Sequence, residues 1–457
     1  MVAQNVSRAD GIKVGSSDTL VVTGGRRLAG EVSTSGFKHS LVTVAAAACA
    51  ARAPITIGNC PAIAETSELV GLVNELGGSA EYLDGSLTVD AAALTGSQVA
   101  DRGIHGSVYL VPALLTRTGQ ARVATAGGCQ IGDSPSGRRP VDQYVGVLSR
   151  FGAHISHADD HLLARADRLV GCEIDLLDYT SERELRSGPL YSGATKMAVL
   201  AAAVAHGVSV LHNPYPKPDV TDLVTALRTF GADIQTTDRG SLVVQGRGPD
   251  VLDQPAAHVL IPDLIEVMTW ICAGALLASS PIRVHGTNFG RAIQALAPEL
   301  SVLADLGVRL EADAYGLTVH PADALSATDV LVSSPGVFSD NQAFLALLMT
   351  AAHGRSTITE SVWSRRFGYR PGLESLGARL SQEGSMLTIE GPCPPDVGGR
   401  SVHAPDLRSA AALVLAALQV EGTTVVTGTH HLRRGYADFA GSLRALGAVV
   451  EDAAVLA

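Results

Sequence analysis

Two hydrophobic periodicities take turns along the chain. Apolar and polar residues alternate in segments 86–89, 241–244, 316–319 and 386–389, and again in 54–57, 208–211, 356–359 and 423–426. Period-two patterning with β-branched residues predicts half-buried strands. Between the two sets lie helix-period stretches, for example 221–228. Ahead of several strands come Ala/Leu-rich segments such as 198–205 and 410–418, apolar on nearly all sides. A helix with no polar face has to be buried.

A short signature recurs with this pattern: Leu76-Gly77-Gly78, Phe151-Gly152-Ala153, Phe230-Gly231-Ala232, Leu306-Gly307-Val308, Leu376-Gly377-Ala378 and Leu446-Gly447-Ala448. The glycines are 75, 79, 76, 70 and 70 residues apart. Most follow a helix-period stretch and are placed to end a helix, where a residue without Cβ takes positive φ freely. The predicted unit is helix, strand, helix, strand, strand. Six units of that size are too large for a solenoid and too few for a propeller, so an α/β fold of two domains with three units each is expected. Residues 38–261 would form one lobe, and 1–37 with 262–457 the other. Strand-like Leu20-Val21-Val22 would then find its partner in the C-terminal lobe, with chain crossings near Phe37-Lys38 and Pro262-Asp263.

Composition narrows the class. The chain has 457 residues, 46% hydrophobic and 17% charged, which excludes disorder. No apolar run reaches the roughly 20 residues of a membrane helix, and no secretory signal is visible, so a cytoplasmic protein is expected. A net charge of −11 argues against nucleic-acid and membrane-surface partners. Six cysteines without C-x-x-C spacing give no reason to expect zinc or disulfides. Lysines are only four, at positions 13, 38, 196 and 217, which makes each conspicuous.

Four segments place charge and glycine where packing gives no reason for them. In Ser35-Gly36-Phe37-Lys38-His39-Ser40 a lysine opens a helix, against the helix dipole, which a bound anion explains better than stability does. Residues 127–142 hold four glycines, two prolines and two serines, the composition of a mobile functional loop. Within it, Cys129 near Arg138 and Arg139 is expected to have a lowered thiol pKa, suited to a proton donor or nucleophile. Asp340 in Ser339-Asp340-Asn341-Gln342 stands at a helix start, where the bland role is capping. Arg365-Arg366, Asp406-Leu407-Arg408 and Arg433-Arg434-Gly435-Tyr436 supply guanidinium forks suited to carboxylate or phosphate. No dinucleotide-binding, P-loop, nucleophile-elbow or zincin motif is present.

These motifs together resemble the enolpyruvyl transferases, and the UDP-N-acetylglucosamine branch more than the shikimate branch. The resemblance runs from Val21 to the C-terminus. It rests on Gly30-Glu31-Val32, Ser35-Gly36-x-Lys38, Gly127-Gly128-Cys129-x-Ile131-Gly132, Arg139-Pro140-Val141-Asp142 and Ser192-Gly193-Ala194-Thr195. It continues through Asp340-x-Gln342, Thr359-Glu360, Arg366-Phe367, Asp406-Leu407-Arg408 and Arg434-Gly435-Tyr436. The resemblance implies a two-lobed inside-out α/β barrel of six βαβαββ repeats, three plus three, with the active site in the cleft. It also implies transfer of the carboxyvinyl group of phosphoenolpyruvate to an acceptor hydroxyl, with no metal or organic cofactor. Lys38, Arg139 and Arg434 would hold the phosphate, and Arg366 and Arg408 the carboxylate. Cys129 would protonate the methylene carbon, and Asp340 would take the hydroxyl proton.

The departures from the family pattern gather on the acceptor side. His39 replaces an asparagine, His105 an arginine, and Lys217 an acid; residues 133–137 are extra, and Leu264 follows Asp263 where the family has arginine. Such a pattern is similar to paralogues of nucleoside-antibiotic pathways that act on the 3′-hydroxyl of UMP. The acceptor residues implied are His39, His105, Arg139, Pro140, Val141, Asp142, Ser192, Gly193, Lys217 and Asp340. The alternative is UDP-N-acetylglucosamine, as in peptidoglycan synthesis. A non-catalytic relic would have no reason to keep Cys129 and Asp340 together. The expected partners are therefore phosphoenolpyruvate and a uridine nucleotide, with the protein a monomer or weak homo-oligomer.

Overall fold

Six separate sheets, five of four strands and one of five, organise the described residues. A computed structural model describes residues 18–125, 141–158, 160–180, 192–248, 252–363, 365–393 and 399–453. In each sheet one strand pairs in parallel with a second, which runs antiparallel to a third, itself antiparallel to a fourth. In one, Gln98–Val99 lies parallel to Gln120–Ala124, followed by His161–Arg165 and His154–Ala158. The sheet of Glu173–Asp175, His206–His212, Leu242–Arg247 and Asp233–Thr236 repeats that order.

Exchanged strands show where the chain crosses. Thr19–Thr23 pairs antiparallel with both Thr423–Thr427 and Val449–Asp452, so the N-terminal strand completes the last repeat's sheet. Leu28–Ser33 adds in parallel to Ala278–His285, and Ala256–Val259 adds in parallel to Ile55–Gly58. The buried hydrophobics form two clusters. One runs from Leu41 to Leu260 and the other joins residues between Leu20 and Phe37 to those between Ile261 and Val450. Where the chain passes from one to the other, Gly36 bridges to Pro262. A Cβ on Gly36 would meet the Asn59 carbonyl oxygen at 1.9 Å, so only glycine fits the crossing.

Helices without a polar face fill the interior, as the patterning requires. Lys38–Ala50, Val111–Thr118 and Ser192–Val204 lie in the first half; Leu264–Leu277, Gln342–Thr350 and Leu407–Gln419 lie in the second. All residues from Ala194 to Ala205 except Thr195 and Lys196 are apolar and buried, and those two are buried as well. The six signature glycines have φ between +87° and +103°, the left-handed conformation that ends a helix. Among the described residues, no helix is long and apolar enough to cross a membrane.

Candidate functional site

The N-termini of interior helices from both halves open onto one cavity of about 210 Å³. Lys38 and His39 reach it from the start of Lys38–Ala50, and Ser192, Gly193 and Lys196 from the start of Ser192–Val204. Lys217, the N-cap of Pro218–Thr229, completes that side. The second half contributes Asp340, Arg366, Arg408 and Arg434. All three lysines of the described residues therefore line one cavity, in a chain of net charge −11.

Two carboxylates bridge pairs of these cations. Asp340 Oδ1 accepts from Arg366 Nη2 at 2.7 Å and from Arg408 Nε at 3.0 Å. Burial opposes ionisation of Asp340, but Arg366 and Arg408 outweigh it and hold the carboxyl well below its usual range. Asp340 is thus not a cap: the N-cap of the following helix is Asn341, whose side chain caps nothing. Asp406 does cap, accepting from the backbone N–H groups of Arg408 and Ser409 at 2.9 Å and so fixing the root of Arg408. Arg365, by contrast, is exposed.

The second bridge is Glu65, which the sequence did not mark. Its Oε1 accepts from Lys38 Nζ at 2.7 Å and from Arg434 Nε at 3.0 Å. Arg434 Nη2 also donates to the Gly103 carbonyl at 3.0 Å, so this arginine of the second half is tied to two elements of the first. Glu65 sits in the amphipathic helix Ala64–Glu75, where an acid in the first turn looks like ordinary dipole compensation. Nothing in the local pattern signals its role.

A third group lies on the wall of the first half. Lys196 Nζ donates to Asp219 Oδ2 at 2.6 Å and stands 5.3 Å from the Tyr109 ring centroid. Lys217 makes no ion pair among the described residues, and its Nζ lies 5.3 Å from the Phe338 ring centroid. His39 is pushed down to about 3, first by burial and further by Lys217 and Lys196, against the opposing pull of Asp340 and Asp219. Its imidazole is neutral at working pH. Tyr109, Gln143, Tyr144 and Trp363 also line the cavity and were not singled out by the sequence. The approach of Tyr144 explains Gly193, where a Cβ would meet the phenol ring at 2.9 Å.

Other expected residues lie elsewhere. Val141 packs against the core of the first half, and Asp142 is exposed at the start of Asp142–Arg150; neither lines the cavity. His105 begins the 3-10 helix His105–Leu110, whose next residue, Gly106, lines the cavity. Cys129, Arg139 and Pro140 fall outside the described residues.

Comparison with known proteins agrees with this geometry. The family model for EPSP synthase (3-phosphoshikimate 1-carboxyvinyltransferase) matches residues 22–443. UDP-N-acetylglucosamine 1-carboxyvinyltransferases are similar over most of their length. That of Nitratiruptor sp. is 32% identical over 95% of this chain and 99% of its own, and that of Dichelobacter nodosus 33% identical over the same shares. A crystal structure of the enolpyruvyl transferase NikO from Streptomyces tendae aligns with a TM-score of 0.88 at 46% identity, over 96% of this chain and 99% of that one. EPSP synthase from Acinetobacter baumannii, at 15% identity and a TM-score of 0.70, shares the fold. An inside-out arrangement of six repeats, a cationic cavity and matches over nearly the whole chain lead to one conclusion: the protein belongs to the EPSP synthase family and is a carboxyvinyl (enolpyruvyl) transferase.

Proposed function

We propose that the protein transfers the enolpyruvyl group of phosphoenolpyruvate to the 3′-hydroxyl of UMP, releasing phosphate, in nucleoside-antibiotic biosynthesis. The observation that carries the reading is the convergence of Lys38, Lys196, Lys217, Arg366, Arg408 and Arg434 on one cavity around Asp340. Such a site suits two polyanionic substrates held away from water. The basic acceptor wall, with Lys196 and Lys217, favours a nucleoside monophosphate, and the identity to the enolpyruvyl transferase NikO exceeds that to the cell-wall enzymes.

In the reaction the acceptor oxygen bonds to C2 of phosphoenolpyruvate while its proton passes to Asp340. C3 takes a proton from Cys129, giving a tetrahedral ketal phosphate. The C2–O bond to phosphate then breaks and the methyl group returns a proton to the Cys129 thiolate, which yields the enol ether and inorganic phosphate. Asp340 is a weak base while two guanidiniums hold its Oδ1. The substrate carboxylate competes for the same two arginines, and its arrival loosens that grip. Binding of phosphoenolpyruvate therefore prepares the base for the acceptor. Lys38 and Arg434, paired with Glu65 in the structure, take the phosphate.

Motion of residues 38–261 against 1–37 with 262–457 would close the cleft. The test is phosphate release from phosphoenolpyruvate with UMP, UDP-N-acetylglucosamine and shikimate 3-phosphate in parallel. Release with UMP alone supports the reading. Release with UDP-N-acetylglucosamine in preference to UMP returns the protein to cell-wall synthesis.

A further inference from the structure

Three helices of the first half begin at the cavity, and each begins with a lysine, carries one a turn inside or has one as its N-cap. Lys38 starts its helix with no acid in the first turn and no side-chain cap at Phe37. Lys196 lies one turn into Ser192–Val204, which also has no acid in its first turn. Lys217 is itself the N-cap of Pro218–Thr229 and makes no capping bond. A cation at the positive end of a helix is destabilising unless an anion meets it. Lys38 has Glu65 as that anion, and Arg366 and Arg408 have Asp340. Lys196 has Asp219, whose other oxygen, Oδ1, is buried with no donor among the described residues. Lys217 makes no ion pair among the described residues; its Nζ stands over the face of Phe338, within electrostatic reach of Asp219, Asp340 and Glu299.

Resting on the acceptor reading above, we infer that Lys217 and Lys196 form a subsite for the acceptor's terminal phosphate monoester. The acceptor enters as a 5′-phosphorylated nucleoside with its phosphate on this wall and its hydroxyl toward Asp340. Neither lysine is ion-paired to Glu65 or Asp340, the carboxylates that hold Lys38, Arg434, Arg366 and Arg408, so both substrates keep their own cations. Phe338, over which Lys217 stands, is two residues from Asp340, and Lys217 acts electrostatically on Asp340, which places the subsite on the same side of the cavity as the base. A dianionic monoester gains more here than the diester-like phosphates of a diphosphate sugar, because its charge is concentrated on three terminal oxygens. Neutral His39, between the two carboxylates that act on it, leaves the positive field to the lysines.

The experiment is calorimetric binding of UMP, uridine and phosphoenolpyruvate to the full-length wild type and to Lys217→Gln, with Lys217→Arg as the conservative variant. UMP should bind the wild type about 100-fold more tightly than uridine, a ratio that falls below about tenfold in K217Q and recovers in K217R. The variant Lys196→Gln/Asp219→Asn, which leaves no unpaired buried charge, should lower the same ratio. Equal binding of UMP and uridine by the wild type overturns the subsite, as does a ratio that survives in K217Q. So does a loss for phosphoenolpyruvate equal to that for UMP, which would mark loss of overall charge rather than of a contact. The two readings fail separately. If turnover prefers UDP-N-acetylglucosamine, the acceptor assignment falls, while the UMP-to-uridine ratio still decides the subsite.

Discussion

At the scale of single residues the site is a competition among anions for a fixed set of cations. Asp340 occupies the two guanidiniums proposed to grip the phosphoenolpyruvate carboxylate. Asp340→Asn removes the competitor and the base together. Phosphoenolpyruvate should then bind the variant at least as tightly as the wild type by calorimetry, while phosphate release falls by about 10²–10⁴, the usual worth of general-base catalysis. Weaker binding together with unimpaired transfer would remove Asp340 from the mechanism. Thiol chemistry offers a second test. Burial pushes the Cys49 and Cys60 thiols up to about 12 and raises Cys272 and Cys172 as well. Iodoacetamide at neutral pH should therefore label Cys129 first, as read by peptide mass spectrometry. An adduct appearing first on Cys60 or Cys393 would count against the assigned proton donor. Residues that break a local rule were legible in the sequence: Lys38 opens a helix against its dipole, and Asp340 stands where a cap was expected but binds arginines. Residues that obey the rules were not: Glu65 passes for a first-turn acid, and Tyr109 and Tyr144 for core aromatics.

At the scale of elements, buried carboxylates set the loops that carry the chemistry. Glu360 Oε2 accepts from Ser339 Oγ at 2.7 Å and Gln342 Nε2 at 2.8 Å, on either side of Asp340. Its Oε1 accepts from the backbone N–H of Val362 at 2.7 Å and of Trp363 at 3.1 Å. Every partner is a donor, so Glu360→Gln turns an amide N–H₂ onto donors. It should cost about 1–3 kcal/mol in urea unfolding and lower kcat more than it raises KM, since Asp340 loses its setting. At the crossing, Glu266 accepts from Ser35 N at 3.0 Å and Ser35 Oγ at 2.9 Å. Burial, then the neighbouring Asp263 carboxylate, push Glu266 up to about 7. A carboxyl raised in the fold holds a proton that the unfolded chain has released, so stability falls as pH rises from about 4.5 through 7. Glu266→Gln carries no such penalty. Relative to the wild type it should be more stable at pH 8 than at pH 5 by urea titration, and equal differences at the two pH values would contradict the shift. Strands and helices themselves were readable because hydrophobic period and signature glycines repeat six times. Which strand closes which sheet was readable only in part. Leu20-Val21-Val22 announced an unpaired strand, but parallel addition of Leu28–Ser33 and Ala256–Val259 is set by non-local pairing that no local pattern records.

For the whole molecule the question is what holds the two halves together before substrate arrives. Among the described residues, two salt bridges cross between the clusters of buried residues. On one, Arg291 Nη1 reaches the fully buried Asp222 at 3.1 Å, and His258 Nε2 lies 3.1 Å from the same oxygen. On the other, at the cavity, Arg434 bonds Glu65 and the Gly103 carbonyl. Asp222 sits beside the crossing segment, accepting from the Ile261 N–H at 3.4 Å, so on the proposed closure its link would travel little. The Glu65 link lies in the cavity itself, so on the proposed closure of the cleft it is the bond that opening would break. Glu65 is nearly buried, at 3% side-chain exposure, so its attraction for Lys38 and Arg434 is poorly screened. Glu65→Gln keeps an acceptor for one donor but removes the charge that attracts both. Without ligand, the variant should show a larger radius of gyration than the wild type in small-angle scattering. Adding phosphoenolpyruvate with the acceptor supplies new anions to Lys38 and Arg434 and should bring the two proteins to the same radius. Phosphoenolpyruvate should also bind the variant more tightly, because no resident carboxylate has to be displaced. An unchanged radius together with unchanged affinity would mean that Glu65 neither ties the halves nor stands in for the substrate phosphate.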